Sequence, residues 1–384
     1  MTDSPKNDNF ESLGLSKNIL KGVYSYGFIN PSDIQQKGIG VIISKKDCIL
    51  QSQSGTGKTA TYLLGTLHNL DEQTKGIQTV IITPTRELAE QVYDVAKKLA
   101  KYTNLKIVLC VGGTNIGSFK REAVQSHLLI GTIGRIYHMM EENVFSLEQL
   151  KQLTLDEADS LLEKKYGNKV YDLIKQTPQK CQKCFLSATV NRNLREISKS
   201  VLDNPELVLL KKEDIQVKAI KNFYLDTVEE EYKFDTLLDL YQIISTSHTM
   251  IFCNSINKIE FVKNKLEEEG FPTTTIHGGL EQEERSKIVD EFREGKTRIL
   301  LTTDLLARGI DIPEVKLVIN YDLPKNHETF IHRIGRSGRF GKKGVSITFI
   351  KMEDFKDKKN FESLITHYDL QMEEVPENIS SYLI

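Results

Sequence analysis

Two short segments carry residue types that could hydrolyse a nucleoside triphosphate. The first, Gly55-Thr56-Gly57-Lys58-Thr59, follows the apolar run Cys48-Ile49-Leu50, and the second, Asp156-Glu157-Ala158-Asp159, follows the apolar run Leu153-Thr154-Leu155. Such runs are typical of buried parallel strands, whose carboxyl ends meet at one edge of a sheet. The two segments are therefore predicted to face one nucleotide, with a phosphate-binding loop on one strand and carboxylates on the other.

The glycine-rich loop has the composition of a phosphate cradle. Glycine at 55 and 57 permits positive φ and close backbone approach, and the helix expected next directs its N-terminal N–H groups at the phosphates. Lys58 is expected to contact the β- and γ-phosphates, and the Thr59 hydroxyl to hold Mg²⁺. Ser52 replaces the first glycine of the common pattern. The alternative, a glycine-rich surface turn, is disfavoured by the strand before the loop and by the acidic strand end.

The acidic segment supplies the remaining chemistry. Asp156, at a strand end, suits indirect coordination of Mg²⁺, and Glu157 suits polarisation of the attacking water. Acidic residues also favour the first turn of a helix, so a charged helix start is the alternative for this segment alone. Its pairing with the glycine-rich loop favours the catalytic interpretation.

Composition limits the other possibilities. A chain of 384 residues exceeds one comfortable core, which favours two domains. No apolar run approaches the length of a membrane span, and the first residues are polar, so neither membrane association nor secretion is expected. Five cysteines fit a reducing interior, and Cys181 and Cys184 lack a second pair for a metal site. A net charge of −2 argues against a globally basic nucleic-acid binder but permits a local basic track.

Strand and helix patterns alternate along the chain in two successive sets. Helices are predicted between the strands, for example over 87–102 and 193–202, and a linker over 211–221. This alternation predicts an α/β protein with two doubly wound parallel sheets and right-handed crossovers. The predicted strands are 48–51, 79–83, 107–111, 128–131, 152–155, 184–187 and 207–210 in the first set, and 223–225, 249–252, 273–276, 298–302, 317–319 and 345–349 in the second.

A series of motifs in fixed order resembles the DEAD-box RNA helicases. The resemblance runs from about Phe10 to the last residues and implies two tandem RecA-like domains. It divides the chain into an N-terminal adenine-recognition segment (1–36), a first domain (37–210), the linker (211–221) and a second domain (222–384). The motifs are Gly27-Phe28-Ile29-Asn30-Pro31-Ser32-Asp33-Ile34-Gln35, Ser54-Gly55-Thr56-Gly57-Lys58-Thr59, Pro84-Thr85-Arg86-Glu87-Leu88-Ala89, Asp156-Glu157-Ala158-Asp159, Ser187-Ala188-Thr189, Ala307-Arg308-Gly309-Ile310-Asp311 and His332-Arg333-Ile334-Gly335-Arg336-Ser337-Gly338-Arg339.

The resemblance implies a set of ATP-site residues beyond the loop and the acids. Gln35 would bind the adenine edge, because a side-chain amide offers a donor and an acceptor together. Arg336 and Arg339 would be arginine fingers, and Ser187 and Thr189 would couple the phosphate state to the RNA site. Ordinary polar or core residues, a buried strand end and a basic surface turn are the alternatives without the family. The implied cofactor-binding and catalytic set is completed by Phe10, Asn30, Ser54, Gly55, Thr56, Gly57, Ala60, Asp311 and His332.

The resemblance also implies an RNA surface with little sequence preference. Hydroxyl residues, glycines and single arginines suit contacts with phosphates and 2′-hydroxyls rather than bases. The implied residues are Pro84, Thr85, Arg86, Gly112, Gly113, Thr132 and Arg135 in the first domain, and Asn254, Gln282, Arg285, Thr302 and Gly309 in the second.

Two positions depart from the family pattern near this surface. Ile133 stands where the family usually has proline, and we expect it to loosen the loop, so that Ile133→Pro would tighten RNA binding by roughly 0.4–1 kcal/mol. Gly279 stands where similar proteins usually have aspartate, which removes a charge and adds backbone freedom.

The expected activity is RNA-dependent ATP hydrolysis with local unwinding of short duplexes. The short tails resemble the initiation-factor-4A subgroup and its nuclear paralogues, so translation initiation in the cytoplasm, as a monomer that binds a scaffold protein of the cap complex, is expected. Two cues oppose each other, since the stretch 304–308 lacks the tryptophan of nuclear relatives whereas Ser337 stands where many translation factors have glycine. The alternatives are ribosomal-RNA maturation, a splicing-linked RNA clamp in the nucleus, and, more weakly, a DNA translocase.

Overall fold

The computed structural model describes residues 9–52, 56–113, 116–163, 166–189, 192–209, 220–244, 248–304, 315–337 and 344–383. The chain divides into two compact units, Met1–Asp214 and Ile215–Ile384. The division falls inside the stretch predicted as a linker. Ile220 and Lys221, which were assigned to that linker, instead begin the first strand of the second unit.

The first unit is built on a parallel sheet. Its strands, among the described residues, have the spatial order β3-β4-β2-β5-β6-β1-β7. They are β1 (Cys48–Gln51), β2 (Thr79–Thr83), β3 (Ile107–Cys110), β4 (Leu128–Thr132), β5 (Gln152–Leu155), β6 (Gln182–Ser187) and β7 (Glu206–Leu209). The helices are α1 (Lys17–Tyr26), α2 (Asp33–Ile43), α3 (Lys58–Asn69), α4 (Arg86–Leu99), α5 (Ile116–Ala123), α6 (Ile133–Glu141), α7 (Ala158–Leu161), α8 (Gly167–Gln176) and α9 (Arg192–Val201).

Both faces of this sheet are buried, as the continuous apolar runs of its strands predict. On β1, Cys48 and Leu50 pack into one core, whereas Ile49 packs into the core on the other face. The N-terminal segment contributes to the first of these cores through Phe10 and Ile34. The segment preceding β1 is therefore part of the first unit and fixes the start of α2 against it.

The second unit repeats the architecture with the order β10-β11-β9-β12-β13-β8-β14. Its described strands are β8 (Ile220–Asp226), β9 (Thr249–Phe252), β10 (Thr273–Ile276), β11 (Ile299–Thr302), β12 (Leu317–Asn320), β13 (Gly344–Ile350) and β14 (Met372–Glu374). The helices are α10 (Lys233–Ile243), α11 (Ile256–Glu268), α12 (Gln282–Arg293), α13 (His327–Ile334) and α14 (Phe355–Tyr368). Alternate residues of β9 again enter two cores, with Ile251 in one and Met250 and Phe252 in the other.

The predicted fold class is confirmed: each unit is a parallel sheet flanked by helices. Corrections concern the element ends and one strand. The helix predicted over 87–102 ends at Leu99, and β14 was missed because its half-buried Met372 is followed by two exposed glutamates, which leaves no apolar run. Leu210, predicted to end β7, lies outside the described residues. None of the described helices is both long and apolar enough to cross a membrane.

Cys181 and Cys184 are free thiols in the first unit. Cys184 lies on β6 and packs into the core beside β1, where it is the register partner of Cys48. Burial raises the pKa of the Cys181 thiol to about 12, so it stays protonated at neutral pH. Both cysteines therefore have the properties of ordinary buried thiols.

Candidate functional site

The phosphate loop joins β1 to α3, as predicted. Gly57 has φ 101° and immediately precedes the helix, whose first residue is Lys58. A Cβ at Gly57 would lie 2.8 Å from Nε2 of Gln35, so only glycine fits here. The Lys58 ammonium donates to the Ser52 carbonyl, and the side chain is 8% exposed. Thr56 lies on the loop, and Thr59 and Ala60 lie in the first turn of α3. Ser54 and Gly55 lie outside the described residues.

The N-terminal segment is hydrogen-bonded directly to this loop. Gln35, in the first turn of α2, accepts a hydrogen bond from the Ser32 backbone N–H through Oε1 at 2.8 Å. The Ser32 hydroxyl in turn donates to the Thr56 carbonyl at 2.8 Å. This capping box fixes the amide of Gln35, with its oxygen occupied and its nitrogen beside Gly57. Gln35, which was predicted to recognise adenine, is thus held by the same turn that contacts the phosphate loop.

Phe10 and Asn30, which were also assigned to ATP binding, differ in exposure. Phe10 is fully buried and its ring lies 6.1 Å from that of Phe28, so it supports the segment from the core. Asn30 is exposed.

The acidic turn begins where β5 ends. The Asp156 N–H donates to the Ile82 carbonyl at 2.9 Å, which places this residue at the sheet edge. Its Oδ1 accepts from the Glu157 N–H at 3.0 Å, and its Oδ2 accepts from the Tyr62 hydroxyl at 2.8 Å. Glu157 adopts the left-handed conformation, with φ 54°, which is uncommon outside glycine. A strained backbone of this kind is frequent at active sites.

Burial dominates the electrostatics of the acidic turn. It raises the pKa of Asp156 to about 6, the Glu157 carboxylate adds to this, and the Lys58 ammonium opposes it. Burial and the neighbouring Asp156 charge also raise the pKa of the Tyr62 phenol well above its usual value. The phenol therefore keeps its proton and acts as the donor toward Asp156.

Ser187 and Thr189 connect the end of β6 to the acidic turn. The Thr189 hydroxyl donates to Asp159 Oδ2 at 2.7 Å, and the Ser187 hydroxyl donates to the Thr189 carbonyl at 2.6 Å. The Ser52 N–H donates to the Ser187 carbonyl at 3.2 Å. Because β5, β6 and β1 are neighbours, the acids, the Ser-Ala-Thr motif and the phosphate loop form one hydrogen-bonded group at a single sheet edge.

The residues of the first unit that were predicted to bind RNA lie at the carboxyl ends of β3, β4 and β2, which are neighbours in the sheet. Pro84, Thr85 and Arg86 follow β2, and the Thr85 hydroxyl accepts from the Leu88 N–H at the start of α4. A Cβ at Gly112 would lie 2.2 Å from Nη2 of Arg86, so the guanidinium packs directly on this glycine. Gly113 has φ 91°, and Thr132 and Arg135 lie at the start of α6. The fold thus gathers all seven residues at one edge.

Ile133 does not occupy a loose loop. It is the first residue of α6, is 1% exposed and packs in the core, while the preceding Thr132 has an extended backbone. Burial of its side chain holds this position in place of a proline ring. The expected loosening is therefore not a property of the described structure.

The second unit has a buried arginine that sequence reasoning did not single out. Arg333, on α13, is fully buried and lies 5.2 Å from the centre of the Phe252 ring. It donates to Asp304 Oδ1 at 2.5 Å, to the Asp322 carbonyl at 2.7 Å and to Asn254 Oδ1 at 2.8 Å. The helical spacing from Phe330, with Ile334 next to it, was the available signal that this arginine faces the sheet.

Asn254, assigned to RNA, is held within the protein through its side-chain amide and its backbone N–H. Its N–H donates to Asp322 Oδ2 at 2.8 Å, and its Nδ2 donates to the Leu323 carbonyl at 2.9 Å. Its side-chain oxygen accepts from Arg333. This arrangement fixes the turn after β9 and makes Asn254 a support for the surrounding backbone.

The remaining predicted residues of the second unit have mixed positions. Thr302 is buried at the end of β11, and Arg285 donates through Nε and Nη2 to the Leu280 carbonyl at 3.0 and 2.8 Å. His332 and Arg336 are 1% and 3% exposed, at and just after the end of α13. Gln282 begins α12, and its side chain is outside the described part of the chain, as are Gly309, Asp311 and Arg339.

Gly279 lies in the turn after β10. A Cβ there would lie 3.2 Å from Nδ1 of His277, which accepts the Gly279 N–H at the same distance. A larger residue would therefore press on His277.

Each of the two units is an α/β fold built on a parallel sheet. The first unit carries a phosphate loop, an acidic strand end and a Ser-Ala-Thr motif on neighbouring strands. These features define a nucleoside triphosphatase of the helicase class. The DEAD/DEAH box helicase family profile matches residues 32–197, and that of the helicase conserved C-terminal domain matches residues 232–341. The chain belongs to the DEAD-box helicase family.

Similar proteins cover almost the whole chain. The ATP-dependent RNA helicase eIF4A of Aspergillus niger is 41% identical over 98% of this chain and 94% of the fungal protein. Eukaryotic initiation factor 4A of Caenorhabditis elegans is 40% identical over 98% of this chain and 93% of the nematode protein. A solved structure of S. cerevisiae Dbp5 bound to RNA and ADP BeF3 is 33% identical, with a TM-score of 0.90 over 98% of this chain and all of that chain.

Proposed function

We propose that this protein is an ATP-dependent RNA helicase of the eIF4A type that hydrolyses ATP on RNA and locally separates short duplexes during translation initiation. The names of relatives that align over 98% of the chain support this assignment. The observation that carries the chemistry is the hydrogen-bonded group at the ends of β5, β6 and β1. It joins the phosphate loop to Asp156, Thr189 and Asp159 in one unit.

The residues of this group have distinct proposed roles. Lys58 neutralises the terminal phosphates, and the capped amide of Gln35 faces the adenine edge. Glu157 orients the attacking water, since its carboxylate follows the strand end directly and its backbone is held in an uncommon conformation. Thr189 transmits the state of the site to the acidic turn through Asp159.

The donor set also fits Mg²⁺. Asp156 offers carboxylate oxygens and Thr59 a hydroxyl oxygen, and both are hard ligands of the type that Mg²⁺ selects. The ion would supply charge neutralisation on the phosphates when bound. The protein's contribution is to hold both Asp156 oxygens in fixed directions through Glu157 and Tyr62.

The second unit supplies the remaining groups of the proposed ATP site. Arg336, with Arg339, acts as an arginine finger on the transferring phosphoryl group, and Asp311 contacts the ribose. RNA binds the backbone-directed surface formed by Arg86, Gly112 and the other residues at the ends of β2, β3 and β4 in the first unit. The structure of S. cerevisiae Dbp5 bound to RNA and ADP BeF3 supports this use of the fold.

The cellular setting is part of the same proposal. We place the protein in the cytoplasm as a monomer that binds a scaffold protein of the cap complex. The eIF4A names of the relatives support this setting. Affinity capture of the tagged protein tests this setting. We expect a scaffold protein of the cap complex to be captured. Capture of pre-ribosomal or splicing particles instead would indicate a nuclear function.

The biochemical test is RNA-stimulated ATP hydrolysis with two matched variants. Lys58→Ala is expected to weaken nucleotide binding and hydrolysis together, because it removes the cradle's charged side chain. Glu157→Gln keeps the shape of the turn, so ATP and RNA binding should persist while hydrolysis is nearly lost. Equal stimulation by DNA of the same length would favour a translocase, and full activity of Lys58→Ala would refute the assigned site.

A further inference from the structure

Tyr62 is a polar side chain of the nucleotide site that no motif predicts. It lies on α3, is fully buried, and packs in the apolar core beside Leu63 and Leu64. Its hydroxyl nevertheless reaches Asp156 Oδ2 at 2.8 Å, across a sequence separation of 94 residues. The aromatic ring thus belongs to the core, whereas the hydroxyl belongs to the acidic turn.

The hydroxyl binds one of the two residues that are suited to Mg²⁺ and shares a helix face with the other. Asp156, at the end of β5, accepts a hydrogen bond from it. Thr59 lies one helical turn before Tyr62, so the two side chains share a face of α3. One phenol therefore ties the helix that follows the phosphate loop to the strand end that carries the acids.

The carboxylate of Asp156 is left with a single orientation. Glu157 N–H fixes Oδ1 from the backbone, and Tyr62 fixes Oδ2 from the opposite element. Each carboxylate oxygen has a second lone pair, so two donors leave capacity for a metal ion or its water. Partners that orient a ligating carboxylate in this way are known to raise metal affinity.

We propose that Tyr62 is a positioning residue that presents Asp156 to the nucleotide-bound Mg²⁺, an inference that rests on the proposed ATP site. Its hydroxyl acts through the Asp156 carboxylate, which it contacts directly. A purely structural hydroxyl, needed only to satisfy a buried phenol, is the competing explanation. The two differ in what happens to metal binding when the hydroxyl alone is removed.

The test compares wild type with Tyr62→Phe in the full-length protein, using a fluorescent ADP analogue titrated at a series of Mg²⁺ concentrations. The ring stays in the core, so the fold is expected to persist by circular dichroism. The Mg²⁺ concentration that gives half of the maximal affinity gain should rise about 10–100-fold, whereas affinity in EDTA should change less than about twofold. Tyr241→Phe, on α10 of the other unit, is the matched control and should show the wild-type Mg²⁺ dependence.

A rescue and a double variant make the inference specific. Para-aminophenylalanine at position 62 restores a donor at the same ring position and should return the Mg²⁺ dependence toward wild type. In an Asp156→Asn background, Tyr62→Phe should have little additional effect, because the carboxylate through which it acts has gone. Persistence of the full Tyr62→Phe effect in that background would assign its action to another residue.

Three outcomes would overturn the proposal. They are an unchanged Mg²⁺ dependence in Tyr62→Phe, a loss of EDTA affinity equal to the loss with Mg²⁺, and loss of folded protein, which would make the hydroxyl structural. Failure of the proposed function is distinguishable from these, since wild type itself would then show no affinity for the ADP analogue.

Discussion

The surroundings of Asp156 make ionisation of its carboxyl group unfavourable. Its carboxylate is buried beside Glu157, and both effects favour its neutral form. Lys58, Tyr62 and the Glu157 N–H compensate only in part, so the pKa remains raised to about 6. A metal-binding carboxylate requires the charged form, which burial and the Glu157 charge disfavour. The residue is therefore placed for function at the expense of stability in the free protein.

The sign of this cost gives a pH-dependent prediction for Asp156→Asn. The folded-state pKa of about 6 exceeds the model-peptide value of 3.8, so the stabilising contribution is full at acidic pH and is lost as pH rises through about 6. Asparagine keeps the shape without the buried charge. Without nucleotide, Asp156→Asn should therefore melt higher than wild type near about pH 7.5, and the gap should close toward about pH 4.5.

Differential scanning fluorimetry over a pH series measures this gap. Asp239→Asn, at an exposed position on α10, is the control and should melt like wild type throughout the series. A lower melting temperature for Asp156→Asn at neutral pH would mean that the carboxylate is stabilised by its partners.

Arg333 carries a second prediction at this scale. Its guanidinium is fully buried and binds Asp304, Asn254 and the Asp322 carbonyl. Arg333→Met should lower the unfolding free energy by about 1–3 kcal/mol, because the buried Asp322 carbonyl and the part-buried Asn254 side-chain oxygen would lose their donor. Chemical denaturation followed by circular dichroism measures the change. The exposed Arg293, which pairs with Asp290 on the same helix, is the matched control, and Arg293→Met should cost about 0–1 kcal/mol.

The residue scale also shows what the sequence could and could not predict. The placement of Lys58, Asp156 and Glu157 after buried strands was predictable, because an apolar run precedes each motif. The role of Tyr62 and the hydrogen-bond partners of Arg333 were not, although helical spacing indicated that Arg333 faces the sheet. Their partners lie 94 residues away for Tyr62, and 79 and 29 residues away for Arg333, so only the tertiary fold brings them together.

At the scale of elements, parallel strands account for both the success and the limit of prediction. Most predicted strands match because buried parallel strands are short, continuous apolar runs. β14 failed this criterion, since it lies beside β8 at the edge of the sheet that the described residues form and has exposed glutamates. The order of strands was not predicted, although it decides which loops meet. The order β5-β6-β1 is what joins the acids to the phosphate loop.

The start of α6 gives a prediction at the scale of an element. Ile133 occupies the first helical position, where proline is favoured and the backbone N–H has no partner within the helix. Thr132, with ψ 143°, already has the extended backbone that a residue before proline prefers. Stiffening would add roughly 0.4–1 kcal/mol, but the buried isoleucine would lose packing worth about 0.8 kcal/mol per methylene.

These two terms are of similar size, so Ile133→Pro should leave stability and RNA affinity close to wild type. This replaces the tighter binding expected from the sequence alone. Fluorescence anisotropy with a labelled single-stranded RNA measures the affinity, and Ile133→Val is the control for a smaller side chain without the ring. A clear gain in RNA affinity, with the fold intact, would show that backbone freedom at this position does limit binding.

At the scale of the whole molecule, the proposed catalytic residues are divided between two independently cored units. Lys58, Asp156 and Glu157 belong to Met1–Asp214, whereas His332 and Arg336 belong to Ile215–Ile384. The first unit contains the complete phosphate loop and acidic turn, so it should bind nucleotide by itself. Hydrolysis that depends on an arginine finger should need both units.

A fragment and a point variant test this division together. A first-unit fragment ending near Lys211 should bind ATP yet show almost no RNA-stimulated hydrolysis. In the full chain, Arg336→Lys keeps the charge but loses the planar fork that can bridge two phosphate oxygens. Hydrolysis should fall by at least roughly a hundredfold, since such fingers contribute about 10³–10⁵-fold in other NTPases, while ATP affinity changes far less.

Arg293→Lys, at an exposed position on α12, is the control and should retain wild-type hydrolysis. The Arg336→Lys assay needs a separate test of folding, because Arg336 is 3% exposed and its replacement could lower hydrolysis by destabilising the second unit. Equal melting temperatures of Arg336→Lys and wild type would exclude that explanation. A first-unit fragment that hydrolyses ATP as fast as the whole chain, with RNA present, would show that the second unit supplies no catalytic group. The arginine-finger mechanism would then be wrong for this protein.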